Sequence, residues 1–227
     1  MVFASSCDLD LLDSPNEVTA ATADPSWVLN QVQLSYAGMF EGISNTGAQL
    51  TRILSQPNVN YQNAYNATAL NGVWSTSYAT ILSDIQFIEN ELNTEERPIP
   101  RHVAIAKVIK AMVLMHLVDH LGDVPYSKAL NPSDFAPTVD SAEDVYKVAL
   151  DELVAARAAF AIATAALPTD LYYNNNVTRW QRLVNTLELK YYLNTKLVNS
   201  GSAARIAALV AEDNLLKDGD DFVFRYG

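Results

Sequence analysis

Between Arg101 and Leu121 the chain reads RHVAIAKVIKAMVLMHLVDHL, and its apolar residues fall on nearly every side of a helical wheel. Such a helix is stable only when neighbours cover most of its faces. The rest of the chain must therefore assemble around it. Pro98 and Pro100 precede the segment, Gly122 ends it and Pro125 bars its resumption. It is not a membrane span, because Lys107, Lys110, His116 and Asp119 keep any apolar run below the ~18–20 residues a bilayer requires.

The covering elements read as further helices. Asp24-Pro25 offers an N-cap with proline in the first turn, and Leu29, Val32, Tyr36, Met39 and Ile43 then mark one face of a helix running to about residue 54. A second stripe is Trp74, Tyr78, Ile81, Ile85, Ile88 and Leu92. After a proline-containing loop at 122–140, Ser141 and Asp144 form a capping-box pattern ahead of Val145, Ala149, Leu153, Ala156 and Phe160. A fifth helix begins near Val177 with Trp180, Leu183, Val184, Leu187 and Tyr191, and a shorter sixth spans about 202–213. The ending KDGDDFVFRYG shows no cap.

With only 8 glycines and 49% hydrophobic residues in 227, composition favours helices over a strand-and-turn architecture. The predicted fold is all-α: irregular helical hairpins stacked in a tetratricopeptide-like manner over 25–227, without the strict Trp-Leu-Gly-Tyr repeat signature. A formal charge of -11 and no basic patch exclude nucleic acid as a partner.

Residues 8–24 are polar and aperiodic, an extended lead-in. The single cysteine, Cys7, follows Ala4-Ser5-Ser6 and precedes Asp8-Leu9-Asp10. Small residues before a cysteine are the pattern at which a bacterial lipoprotein is processed and lipidated, although only Met1, Val2 and Phe3 stand upstream as apolar signal. The alternative is a cysteine in a frayed terminus. On the lipidation reading, 1–24 is a signal remnant and tether.

Catalytic chemistry has little support. His116, Asp119 and His120 share one helical face, but the glutamate of HExxH is missing and a histidine pair supplies only two ligands, so no metal is expected. Asp123 reads as a turn-closing aspartate bonded to nearby N–H groups rather than as a base. No GxSxG, P-loop or GxGxxG occurs, and no cofactor is implied. The chemically suggestive stretch is 56–78, where Tyr61, Tyr65 and Trp74 mix with Asn60, Asn63 and Asn66. Aromatic faces accept the C–H face of a sugar ring, and amides read its hydroxyls. Trp74 and Tyr78 also lie on the apolar stripe, so packing in the core is the competing reading for both. The candidate ligand contacts are Tyr61, Asn63, Tyr65, Asn66 and Trp74.

Two segments carry a resemblance. Gly122-Asp123-Val124-Pro125-Tyr126 follows a helix of small and apolar residues and leads through a proline loop into VYKVALDELVAA. The stretch from Asp170-Leu171-Tyr172-Tyr173 through Arg179-Trp180 to RLVNTLELK joins an acidic turn, tyrosines, a basic-Trp pair and a basic helix. Together they resemble the N-terminal half of the SusD/RagB family of nutrient-binding lipoproteins, and with Cys7 the resemblance covers nearly the whole chain. Asparagines in YYNNN replace the Gly and Asp common in relatives, which puts a role for that turn's acid in doubt. Family members also continue well beyond residue 227.

The resemblance implies a binding protein, not an enzyme. It would be lipid-anchored through Cys7 at the cell-surface side of the outer membrane, capturing an oligosaccharide or another nutrient for a SusC-like TonB-dependent transporter. Peptide in place of glycan is an alternative ligand. A helical protein-interaction module without its own ligand is an alternative function, and a hydrolase acting on the same nutrient ranks last.

Overall fold

The computed structural model describes residues 19–55, 65, 66, 68–131 and 133–225. Among them are six helices and no strand: α1 (Pro25–Leu50), α2 (71–92), α3 (Pro100–Leu121), α4 (Ala142–Phe160), α5 (Val177–Asn194) and α6 (Ser202–Ala211). Cys7, Tyr61 and Asn63 lie outside the described residues.

Local chemistry accounts for the helix ends. Asp24 caps α1 by accepting from Ser26 N at 2.8 Å, with Pro25 in the first turn. Ser141 Oγ accepts from Asp144 N at 3.1 Å to cap α4, and Asn176 Oδ1 accepts from Arg179 N at 3.1 Å to cap α5. Gly122 leaves α3 at φ 77°, ψ -123°, a backbone region closed to residues with a Cβ. α1 ends at Leu50, short of the predicted 54, because Arg52 takes a positive φ of 61°. Ile53 beyond it is 79% exposed, so no packing rewards another turn. α6 likewise stops at Ala211 before Asp213 turns at φ 47°.

α3 is the core of the assembly, with Val103 to Met115 buried apart from Lys107 and Lys110, and it packs against α1, α2, α4 and α5. Those two lysines face Glu89 of α2 and Glu152 of α4. Lys107 pairs with both, and Lys110 lies 3.1 Å from Glu89 and 2.6 Å from Glu152. Burial works against the Lys110 ammonium, but Glu152 and Glu89 outweigh it and hold its pKa above the ordinary lysine value. Two positive and two negative charges thus tie three helices together with no residual charge.

The lead-in is docked from Thr19 onward. Arg97 donates to Ala20 O at 3.0 Å and Ala23 O at 3.3 Å, and Ala23 is buried. The uncapped C-terminal stretch also returns to the body. Asp220 pairs with Arg182 at 2.7 Å, its carbonyl accepts from Tyr173 Oη at 2.7 Å, and Phe222 stacks on Tyr172 with centroids 3.9 Å apart.

Candidate functional site

α2 departs from a plain α-helix. Thr76–Leu82 and Ile88–Leu92 are π-helical, separated by α-helical Ser83–Phe87 and preceded by α-helical Asn71–Ser75. Each π turn takes more residues than an α turn, so a stripe drawn with a 3.6 period drifts off the core where the turns widen. Ile81, Ile85, Ile88 and Leu92 stay buried, whereas Trp74 is 39% exposed. The core reading of Trp74 is thereby corrected, and its ring lies at the surface.

Trp74 is not loose there. Its ring packs on Tyr78 with centroids 4.6 Å apart, and Tyr78 Oη donates to Pro125 O at 2.7 Å. Burial, then the nearby Asp140 carboxylate, pushes the Tyr78 phenol up to about 12, so it stays a neutral donor at physiological pH. The corner it touches is itself fixed. Asp140 accepts from Tyr126 N at 2.7 Å, Ser127 N at 2.9 Å and Ser127 Oγ at 2.6 Å, and a two-way backbone bridge joins Val124 to Asp140. Hydrogen bonds led by those from Ser127 hold the Asp140 carboxyl below its usual range.

Of the other predicted contacts, Tyr65 is half-exposed. Asn66 Oδ1 already accepts from Thr68 N at 3.0 Å and Thr68 Oγ1 at 2.8 Å, which leaves its amide N–H groups for a ligand.

The histidine face does not converge on a metal-like centre. His116 Nε2 lies 3.3 Å from Tyr36 Oη, His120 Nδ1 lies 2.9 Å from His116 O, and Asp119 accepts from Tyr146 Oη and pairs with Lys190 at 3.0 Å. Asp123 Oδ1 accepts from Ala142 N at 2.7 Å. It closes its corner as the sequence implies, but by capping α4 across the whole loop rather than through adjacent N–H groups. Asp170, whose role the sequence left in doubt, is buried and accepts from three backbone N–H groups of its turn and from the Trp180 indole.

Sequence reasoning missed a cleft of about 830 Å³ between α1 and the C-terminal stretch. Phe40, Tyr172, Phe222 and Phe224 contribute rings to it. Tyr36 Oη and Tyr172 Oη are both engaged inside the protein, with Met112 Sδ and Gln33 O respectively. The cleft therefore presents mainly hydrocarbon. Its sequence signal was faint: Tyr36 and Phe40 at i, i+4, and a distant Phe-Val-Phe without periodicity.

No transmembrane-length apolar helix occurs among the described residues. A family model described as SusD-like, starch-binding and associating with the outer membrane, matches residues 15–226. No curated protein matches. Among solved structures, the chain is similar to a SusD/RagB family protein from Bacteroides thetaiotaomicron, with 17% identity and a TM-score of 0.75 over 87% of this chain and 44% of that one. It is similar also to a chitin-binding protein, with 21% identity and a TM-score of 0.70 over 88% of this chain and 45% of that one. A chitin-binding SusD homolog from Flavobacterium johnsoniae shares 21% identity and a TM-score of 0.61, over 82% and 43% of the respective chains. The chain thus spans less than half the length of each of these structures.

Proposed function

The chain belongs to the SusD-like family, and from that membership we propose that it is part of a cell-surface nutrient-binding lipoprotein that captures an oligosaccharide for import through a TonB-dependent outer-membrane transporter. The observation that carries the glycan reading is the Trp74–Tyr78 pair, a half-exposed indole mounted on a phenol that is hydrogen-bonded to the Pro125 corner. A rigid aromatic face loses little conformational freedom when a sugar ring settles on it, which makes it an efficient contact. Tyr65 and the Asn66 amide N–H groups supply further stacking and hydroxyl-reading groups, and Tyr61 and Asn63 are proposed as further contacts of the same kinds.

Binding without catalysis fits the carboxylates. Asp119, Asp123, Asp140, Asp170 and Glu188 each accept structural hydrogen bonds or pair with cations. Cys7 is proposed as the lipid attachment point, placing the protein on the outer membrane.

Calorimetric titration of the chain against neutral oligosaccharides and against peptides of similar size tests the ligand class. Glycan binding that weakens in Trp74→Ala supports the proposal, and binding of peptides alone would replace it. Co-purification with a β-barrel transporter from membranes tests the import partner, and its failure under cross-linking would remove that part.

A further inference from the structure

A second concavity lies beyond the Trp74–Tyr78 pair. Leu82, Gln86, Glu89 and Asn90 of α2 form one wall of a pocket of about 270 Å³, which Lys110 of α3 and Tyr126, Ser127, Ala129 and Leu130 of the Pro125 corner complete. Both lie along α2. Trp74, Tyr78, Leu82, Gln86 and Asn90 recur every four residues along α2, and Tyr78 is hydrogen-bonded to the residue before Tyr126. Trp74 and Gln86 are separated by less than about 18 Å of helix, because the π turn at 76–82 rises less per residue than an α turn, and the span still exceeds one sugar unit.

The pocket lining has the chemistry of hydroxyl recognition. Gln86 and Asn90 are exposed, and no described residue takes up their side-chain amides, so both a donor and an acceptor are free on each. Tyr126 adds a half-buried ring, with Lys110 Nζ 6.0 Å from its centroid. Among the lining residues the charge is already matched, because Lys110 is held by Glu89 and Glu152, and the exposed Lys128 is not part of the lining. Recognition of a carboxylate or sulfate needs an unpaired cation or a set of aimed N–H donors, and a chain of formal charge -11 repels an anionic polymer at longer range.

Resting on the glycan-binding reading above, we propose that this pocket is a subsite for one uncharged pyranose unit of an oligosaccharide whose neighbouring units stack on Trp74. Gln86 and Asn90 read its hydroxyls, Tyr126 supports its ring, and the site discriminates against uronic-acid and sulfated glycans.

The test is isothermal titration of the chain with maltoheptaose, chitohexaose and an oligogalacturonate of matched length, using the parent, Gln86→Ala/Asn90→Ala and Trp74→Ala, with thermal unfolding of each variant alongside. The proposal expects at least one neutral oligomer to bind and the oligogalacturonate to bind at least tenfold more weakly. The double variant should lose about tenfold in affinity at an unchanged unfolding midpoint. A double variant that binds like the parent while Trp74→Ala loses binding overturns the subsite and leaves the glycan reading standing. Equal affinity for oligogalacturonate overturns the selectivity for uncharged sugar. If no oligomer binds the parent, the glycan reading fails and the subsite with it.

Discussion

The indole N–H of Trp180 donates to Asp170 Oδ2 at 2.7 Å, and both side chains are buried. Because Asp170 also accepts from Tyr172 N, Tyr173 N and Asn175 N, one carboxylate organises the whole turn leading into α5. Asn174 and Asn175 adopt positive φ within that turn, a conformation asparagine tolerates better than most residues. Asp170→Ala leaves several buried donors unmatched and should lower stability by about 3–5 kcal/mol. Asp170→Asn, which keeps an acceptor oxygen, should lose less. Urea denaturation of the two variants checks the order, and equal losses would mean that packing, not the carboxylate, holds the turn.

Gly122 has open space where a Cβ would sit, so a substitution there is strained only through its φ of 77°. Gly122→Ala should therefore cost about 2 kcal/mol, and the β-branched Gly122→Val more. Thermal unfolding reads this directly. Glycan affinity lost at unchanged stability would make the corner a functional element instead.

Two histidines are held neutral. Burial lowers His116 to about 4, with Lys190 and His120 adding to the effect and Asp119 opposing it; burial likewise lowers His102 to about 4 against Asp24. The unfolded chain, with histidines near 6.5, binds more protons than the folded one between those values. Stability is then fully present above about pH 6.5 and falls as the pH drops towards 4, by about 3 kcal/mol for His116 alone. Chemical denaturation at pH 7.5 and 5.0 should show that slope, and His116→Gln should flatten it. An unchanged slope in the variant would assign the acid sensitivity to other groups.

At the proposed ligand face, aromatics should matter more than amides. Tyr61→Ala/Tyr65→Ala should weaken neutral-oligosaccharide binding more than Asn63→Ala/Asn66→Ala, because each amide gains only about 0.5–1.5 kcal/mol over its bonds to water. Asn66 is in addition partly engaged with Thr68. Titration of both double variants against one oligosaccharide decides the order, and a reversed order would make the amides the principal contacts.

Cys7→Ala in the precursor should release the protein from the membrane fraction, since two acyl signals suffice for stable attachment and their loss leaves none. Retention of the variant after high-salt and carbonate washing would take Cys7 out of the anchoring account.

What the sequence determined by itself was set within a few residues of each position. The Asp24, Ser141 and Gly122 boundaries, the α3 core and the stripes of α4 and α5 all follow from caps and spacings that act over one helical turn, and the structure repeats them. The family was legible too, because its signatures at 122–126 and 170–190 are contiguous. Tertiary structure decided the rest. Trp74 faces out because the turns of α2 widen where Ser77 donates to Val73 O and meets Met39 of α1. Asp123 caps a helix nineteen positions away, the FVF terminus becomes a cleft wall by stacking on Tyr172, and the Gln86–Asn90 pocket exists only because the Pro125 corner folds back onto α2. Each of these joins residues that no local period relates, and their meeting depends on how helices pack.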